Sequence, residues 1–317
     1  MTIRLSKQEK DTIEELYKTK NFTFKELSCL YPVSSQAIRM LLKRRGFKGE
    51  SQSILQRKYR IDETFFDNIN TQEKAYFLGI LYADGYNNTD RYSVNLNLKE
   101  SDKEILVKLN NLVQPDKPLQ FINMQTNRLN GINVSDQYRL VIANKHISKR
   151  LVELGCIKTK TFKLKFPKES ILPENLYSHF IRGYSDGDGS IGYTKKKHNG
   201  FFNLVGTKEF LNIIENILKT ELNIKVGYSI RHPERNHNIT QLSVGGNLQI
   251  LTVLDWIYND CSICLNRKFL KYKEIKKHQK ILSQIRLCKI EGCNEKHEAK
   301  GLCRKHYRKM IYDTTGF

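Results

Sequence analysis

Asp84 and Asp188 hold matching slots in two short segments of this 317-residue chain. Residues 77–85 read Phe-Leu-Gly-Ile-Leu-Tyr-Ala-Asp-Gly, and residues 181–189 read Ile-Arg-Gly-Tyr-Ser-Asp-Gly-Asp-Gly. Gly79 and Gly183, Asp84 and Asp188, and Gly85 and Gly189 are each 104 positions apart. Read as helices, the segments carry a small-residue stripe: Ala75, Gly79 and Ala83 in the first, Gly183 and Gly187 in the second. Glycine inside a helix costs about 0.5–1 kcal/mol against alanine, and close approach of two helices supplies the reason for it. Each Asp then ends its helix, facing the negative end of the dipole, and Gly85 and Gly189 fit the left-handed position that closes a helix. Two such ends side by side concentrate negative charge, which a divalent cation relieves, and oxygen donors suit Mg²⁺. A metal between carboxylates beside a basic surface is what phosphodiester hydrolysis requires. Either Asp-Gly alone reads as an ordinary turn; the equal interval and the paired stripes favour the functional reading.

A second cluster lies near the C-terminus. Cys288, Cys293, Cys303 and His306 are spaced C-x4-C-x9-C-x2-H, the ligand set of a closed, structural Zn²⁺ site. His297 is a substitute ligand whose spacing fits less well. So short a basic tail, with few apolar residues, needs the metal to fold. Cys261 and Cys264 have no second pair nearby and follow Trp256 and Ile257 in an apolar run, so they read as core. The seven cysteines do not form a secreted disulfide framework.

The elements that must hold these groups are legible in outline. A formal charge of +21 and 54 Lys+Arg against 33 Asp+Glu point to a polyanion. The excess sits at the ends: residues 1–60 hold 14 basic against 6 acidic side chains, residues 265–317 hold 15 against 5, and the middle is nearly balanced. Residues 6–48 read as three short helices, with a capping box at Thr23 and Glu26. Ser34 or Ser35 caps the third, which turns Ile38, Leu41 and Leu42 inward and Arg39, Lys43, Arg44 and Arg45 outward. That pattern resembles a helix-turn-helix that contacts DNA through those four cations. The duplication continues past the motifs. Tyr92–Leu98 alternates polar and apolar residues as a half-buried strand, and Lys103-Glu104 and Lys208-Glu209 open matching helices. Leu140–Asn144 and Leu242–Asn247 match again. The expected organisation is a helical domain over 1–48, a polar linker over 49–70, repeats over 71–170 and 171–281, and a basic zinc module over 282–317. No stretch approaches the ~20 apolar residues of a membrane span. The N-terminus opens into a charged helical pattern with no signal segment, so the expectation is an intracellular protein of cytoplasm or nucleoid, in a phage-infected or organellar host.

The paired motifs resemble those of the LAGLIDADG homing endonucleases, specifically the single-chain type with two motifs, over about two thirds of the chain. The resemblance implies an α+β fold: an αββαββα unit repeated with pseudo-two-fold symmetry, its motif helices at the interface and two antiparallel sheets forming a saddle on the DNA major groove. It implies a monomer that cuts both strands of a long, asymmetric duplex site, with Asp84 and Asp188 as metal ligands, each serving mainly one strand. The family also uses basic residues around the site, and Lys160 and Lys268, near matching ends of the repeats, are the candidates; backbone-phosphate contact or plain exposure is the equal alternative. The sequence departs from the family at Tyr82, which replaces an acidic residue. Asp186 keeps that slot and reads as structural or capping rather than ligating. The tail resembles a zinc module appended to some phage nucleases. Two other readings stand beside site-specific cleavage: a DNA-binding regulator that keeps the scaffold without cutting, and an RNA-binding maturase that assists intron splicing. The ends lack intein splice residues, which favours an intron-encoded or freestanding protein.

Overall fold

A computed structural model describes residues 5–18, 22–47, 59–124, 135–194, 199–230, 238–282, 288–293, 295 and 297–315. The chain divides into two compact units, Met1–Arg60 and Ile61–Phe317.

The first unit is three helices, α1 (Lys7–Lys18), α2 (Phe24–Leu30) and α3 (Ser35–Arg44). The Thr23 hydroxyl and the Glu26 side chain cap α2 reciprocally, and Ser34, not Ser35, caps α3 by accepting from Ala37 N. Ile13, Phe24, Leu27, Ile38 and Leu42 form its core.

The second unit is α+β and duplicated. Its first half runs α4 (Gln72–Ala83), β1 (Gly85–Asn88), β2 (Ser93–Lys99), α5 (Lys103–Val113), β3 (Gln120–Ile122), β4 (Gln137–Ala143) and α6 (Lys145–Glu153). The second half repeats the order with α7 (Tyr177–Asp188), β5 (Gly189–Thr194), β6 (Asn199–Thr207), α8 (Lys208–Leu222), β7 (Gly227–Ile230), β8 (Ile239–Val244) and α9 (Asn247–Tyr258), followed by α10 (Asn266–Leu282). Each half is therefore αββαββα, with one four-stranded antiparallel sheet, ordered β1-β2-β4-β3 or β5-β6-β8-β7. Alternation sets the sheet faces: Val94, Leu96, Leu140 and Ile142 in one, and Phe202, Leu204, Leu242 and Val244 in the other, point into the core. The intervening positions, among them Asn95, Asn97, Arg139, Asn203, Gln241 and Ser243, stay partly or fully exposed. Residues 288–315 add β9 (His297–Ala299) paired with β10 (Leu302–Cys303), then α11 (Arg304–Thr315). Among the described residues no helix is long and apolar enough to cross a membrane.

The expected polar linker over 49–70 needs correction at its C-terminal end. Residues 49–58 lie outside the described residues, but Phe65, Phe66 and Ile69 are buried in the core of the second unit. Phe65 and Phe66 pack edge-on against Phe77 of α4, so this stretch covers the motif helix instead of spacing it.

Candidate active site

The site is built on the contact between α4 and α7. A Cβ added at Gly79 would lie 2.1 Å from Phe180 O, and one at Gly183 would lie 2.1 Å from Tyr76 O. Phe180 and Tyr76 are themselves 104 apart, so the two glycines let the helices touch backbone to backbone across a pseudo-two-fold. At the next turn a Cβ on Gly187 would meet Ala83 Cβ at 2.3 Å and Asp84 Oδ2 at 2.9 Å. The Asp84 carboxylate therefore lies against the last turn of the opposite helix, one residue from Asp188.

The closing glycines work differently from the sequence expectation. Neither Gly85 nor Gly189 is left-handed. Each begins a strand directly, Gly85 opposite Leu96 and Gly189 opposite Leu204. A Cβ on Gly85 would stand 2.6 Å from Leu81 O, and one on Gly189 2.5 Å from Ser185 O. Glycine is required because the chain folds back against its own helix end, not because φ is positive.

Both carboxylates are open to solvent on one side and hemmed in by protein elsewhere. That burial raises the Asp84 carboxyl, opposed by the charges of Lys268 and Lys160. It raises Asp188 to about 6, with the neighbouring Asp84 charge as the next contribution. The structure brings Lys160 and Lys268 to the same place. Lys160 Nζ donates to Gly85 O; Lys268 Nζ donates to Gly189 O at 2.7 Å, to Asp186 O at 2.8 Å and to Ser185 O. Each lysine thus holds the carbonyl that follows its Asp. Their local settings differ: Lys160 follows α6 in a turn, whereas Lys268 lies in the first turn of α10. Lys268 is 5% exposed, and burial lowers its ammonium to about 8; burial also lowers Lys160. Plain surface exposure is thereby excluded for Lys268. An ammonium has three protons, and those of Lys268 are all committed to backbone carbonyls, which makes it a fixed positive charge beside the carboxylates.

Asp186 is a core residue. It accepts from Tyr76 Oη at 2.8 Å, Tyr258 Oη at 2.9 Å and Leu265 N at 2.7 Å, so it joins α4, α9 and the lead-in to α10. Its expected capping role holds for that lead-in, not for its own helix. Tyr82, in the corresponding slot of α4, donates to Leu154 O. Sequence reasoning missed three further supports. Arg182 is fully buried and donates to Ile263 O at 2.9 Å and Ile257 O at 2.8 Å. Arg267 reaches from α10 to Asp102, at the start of α5, at 3.1 Å. Tyr184, one turn before Asp188, is buried and donates from Oη to Val205 O at 2.5 Å. Buried polar residues leave no periodic trace; the only signal for Tyr184 was its mismatch with Ile80 at the equivalent place in the first copy.

The cysteine cluster also comes together. The ligand atoms of Cys288, Cys293, Cys303 and His306 all lie within 4.8 Å of one another. Cys288 Sγ is 3.2 Å and Cys303 Sγ 3.4 Å from His306 Nδ1, and Cys293 Sγ is 3.8 Å from Cys303 Sγ. A tetrahedron with metal–sulfur bonds of about 2.3 Å and a metal–nitrogen bond of about 2.0 Å has edges of about 3.8 and 3.5 Å, so the donor set fits a four-coordinate metal. His297 is not part of the cluster. Cys261 and Cys264 are partly buried against the core, as expected.

Of the four cations on α3, Arg39, Lys43 and Arg44 are exposed. Arg45 is set apart from these three: its Nη1 pairs with Asp11 at 2.7 Å and Glu14 at 2.6 Å, which ties α3 to α1.

No family model and no curated protein matches the chain. Among solved structures, the full-length DUF199/WhiA protein of Thermatoga maritima is similar at 16% identity and a TM-score of 0.46, over 80% of this chain and 70% of that one. Variants of the homing endonuclease I-DmoI are similar at 14% identity and a TM-score of 0.43, over 63% of this chain and 97% of theirs. The meganuclease I-SmaMI, bound to uncleaved DNA with calcium, is similar at 10% identity and a TM-score of 0.39, over 66% of this chain and 93% of that one.

Proposed function

We propose that the protein is a site-specific DNA endonuclease that hydrolyses one phosphodiester on each strand of a duplex. The observation that carries this reading is the meeting, at one pair of helix ends, of two solvent-open carboxylates and two largely buried lysines. Asp84 and Asp188 offer a hard-oxygen donor set that fits Mg²⁺. When bound there, a divalent cation supplies a water of lowered pKa and charge stabilisation at the leaving oxygen. The chain's residues do the rest. Lys268, fixed by three carbonyls, and Lys160 place positive charge where a scissile phosphate would sit. The polar faces of the two sheets, with Asn95, Asn97, Arg139, Asn203 and Gln241, supply amide and guanidinium groups of the kind that read base edges.

Arg39, Lys43 and Arg44 on α3, in a helix-turn-helix arrangement, add phosphate contacts. Cys288, Cys293, Cys303 and His306 hold a structural Zn²⁺ that keeps the basic tail folded. The target is a long duplex engaged by a monomer inside the cell.

The test is cleavage of a library of long duplexes with Mg²⁺, comparing wild type with the Asp84→Asn/Asp188→Asn protein. Wild type cuts a subset of duplexes on both strands, and the double variant binds the same subset without cutting. Identical behaviour of the two proteins overturns the assignment. Binding by both without cutting by either would leave a DNA-binding regulator; binding of intron RNA alone would leave a maturase.

A further inference from the structure

Asp102 stands at the N-cap of α5, where a carboxylate ordinarily accepts from the backbone of the first helical turn, and it makes no such bond. Thr207 holds the same place before α8, since Lys103 and Lys208 open the matching helices. Thr207 does cap its helix, accepting from Phe210 N at 3.2 Å, and its hydroxyl donates to Leu164 O at 2.6 Å. The Asp102 carboxylate is turned elsewhere. Its side chain is 5% exposed, and its two oxygens accept from Arg267 Nε at 3.1 and 3.3 Å. The first half of the duplication thus leaves a helix start uncapped and holds a guanidinium instead.

Arg267 is held through Nε alone. Among the described residues neither of its Nη atoms makes a hydrogen bond, and the side chain is 57% exposed. Arg45 is the contrast, with its Nη1 spent on Asp11 and Glu14. A guanidinium fixed at Nε keeps its terminal nitrogens as a planar fork of donors, which fits two oxygens of one phosphate. The fork stands beside the paired carboxylates. Arg267 immediately precedes Lys268, whose Nζ holds Gly189 O at 2.7 Å. Asp102 follows β2, whose partner strand β1 begins at Gly85, directly after Asp84. The contact therefore crosses from the end of the second half to the first. Burial raises the Asp84 carboxyl, and the charges of Lys268, Lys160 and Arg267 all oppose it. In the other half the matching place before Lys160 is Thr159, which carries no charge.

We propose that Arg267 grips one backbone phosphate of one DNA strand beside Asp84, that Asp102 is the positioning residue that aims it, and that Thr159 and Thr207 leave the second half-site without this grip. The proposal rests on the reading of the paired carboxylates as a DNA site. It makes the two half-sites unequal in how they hold the backbone.

A methylphosphonate removes the charge of one phosphate at a time. Binding of the full-length protein to a selected duplex is measured in Ca²⁺, with single methylphosphonates walked along both strands, for wild type, Arg267→Ala, Arg267→Lys and Asp102→Ala. Neutralising the gripped phosphate should weaken wild type about ten-fold and leave Arg267→Ala unaffected, a coupling confined to one phosphate of one strand. Arg267→Lys keeps the charge without the fork and should recover less than half of that coupling. Asp102→Ala should lose the coupling even though removing an acid strengthens the general attraction for DNA. A merely structural Asp102 would lower the melting temperature and leave the coupling intact, which overturns its part. Asp102→Asn, with the same shape and a single acceptor oxygen, replaces it if the alanine variant does not fold. Losses that add at every phosphate overturn the proposal, as does the same coupling on both strands. If wild type binds the duplex and nicks neither strand in Mg²⁺, the cleavage reading falls, and the coupling still decides the role of Arg267.

Discussion

Asp186 and Asp188 are two residues apart, and their substitutions should move stability in opposite directions. Burial lifts the Asp188 carboxyl from 3.8 to about 6. Between those pH values the folded protein keeps a proton that the unfolded chain releases, so stability falls as pH rises from 3.8 to 6, and above 6 the whole penalty stands. Asp188→Asn removes the ionisation. Because the group is open to water on one side, the expected gain is discounted to about 1 kcal/mol at pH 7.5, or ~2 °C in melting temperature. Melts repeated toward pH 4 should show the gain shrinking, and nicking of one strand should be lost throughout. Asp186→Ala does the reverse. It strands the Tyr76 and Tyr258 hydroxyls and Leu265 N–H in the core, at roughly 1–3 kcal/mol for each unpaired group. A loss of about 3 kcal/mol or more in denaturant unfolding is expected, even without metal or DNA; a loss below 1 kcal/mol would contradict the triple acceptor role. The sequence separates these two carboxylates only by their distance from the helix end, which is why ligand and core acceptor could be told apart in outline but their partners could not.

The motif helices carry a prediction of their own. Gly183→Ala places a methyl 2.1 Å from a backbone oxygen of α4, and neither helix can yield by turning a side chain. The helices must separate, at an expected cost of about 3 kcal/mol, the upper end of what overfilling a packed core costs. Gly245→Ala, with nothing within 4 Å of the new Cβ, is the control and should unfold like wild type. Similar midpoints for the two variants would mean that the helices do not touch as described. This contact was legible beforehand because it rests on repetition: Gly79 and Gly183 recur at one interval, and helical spacing puts each on its stripe. The αββαββα order was legible from the resemblance for the same reason. What was not legible depended on chain path. Gly85 and Gly189 read as left-handed caps because glycine after a helix usually is one; the immediate entry into β1 and β5 reverses that reading. Phe65, Phe66 and Ile69 were hidden in a polar stretch because three apolar residues set no period. Arg45 was grouped with Arg39, Lys43 and Arg44 by composition, and only the packing of α3 on α1 shows that its guanidinium meets Asp11 and Glu14.

At the scale of the whole molecule, charge and chemistry are segregated: the balanced middle carries the carboxylates, and the basic excess lies in the flanks. Affinity should therefore be separable from cutting. Chelating the tail metal should unfold residues 288–315 and weaken DNA binding while leaving the melt of the duplicated core in place; a tail that keeps its circular dichroism and DNA affinity in the presence of a strong Zn²⁺ chelator would remove the metal from the account. The α3 cations give the sharper test. Each phosphate contact releases condensed counterions, so the logarithm of affinity falls with the logarithm of salt by about 0.9 per contact. Replacing Arg39, Lys43 and Arg44 together with alanine should lower that slope by about 2–3 and weaken binding by a similar factor on matched and mismatched duplexes. Arg45→Ala should behave otherwise, loosening α3 from α1 with the slope nearly unchanged, because its guanidinium is already neutralised within the unit. The reverse pattern, a slope that responds to Arg45 and not to the other three, would mean that the exposed face of α3 does not meet the phosphate backbone. With the slope reduced and the Asp84 and Asp188 carboxylates intact, saturating protein at low salt should still nick both strands at the wild-type rate. That outcome would place recognition in the flanks and catalysis in the paired helix ends.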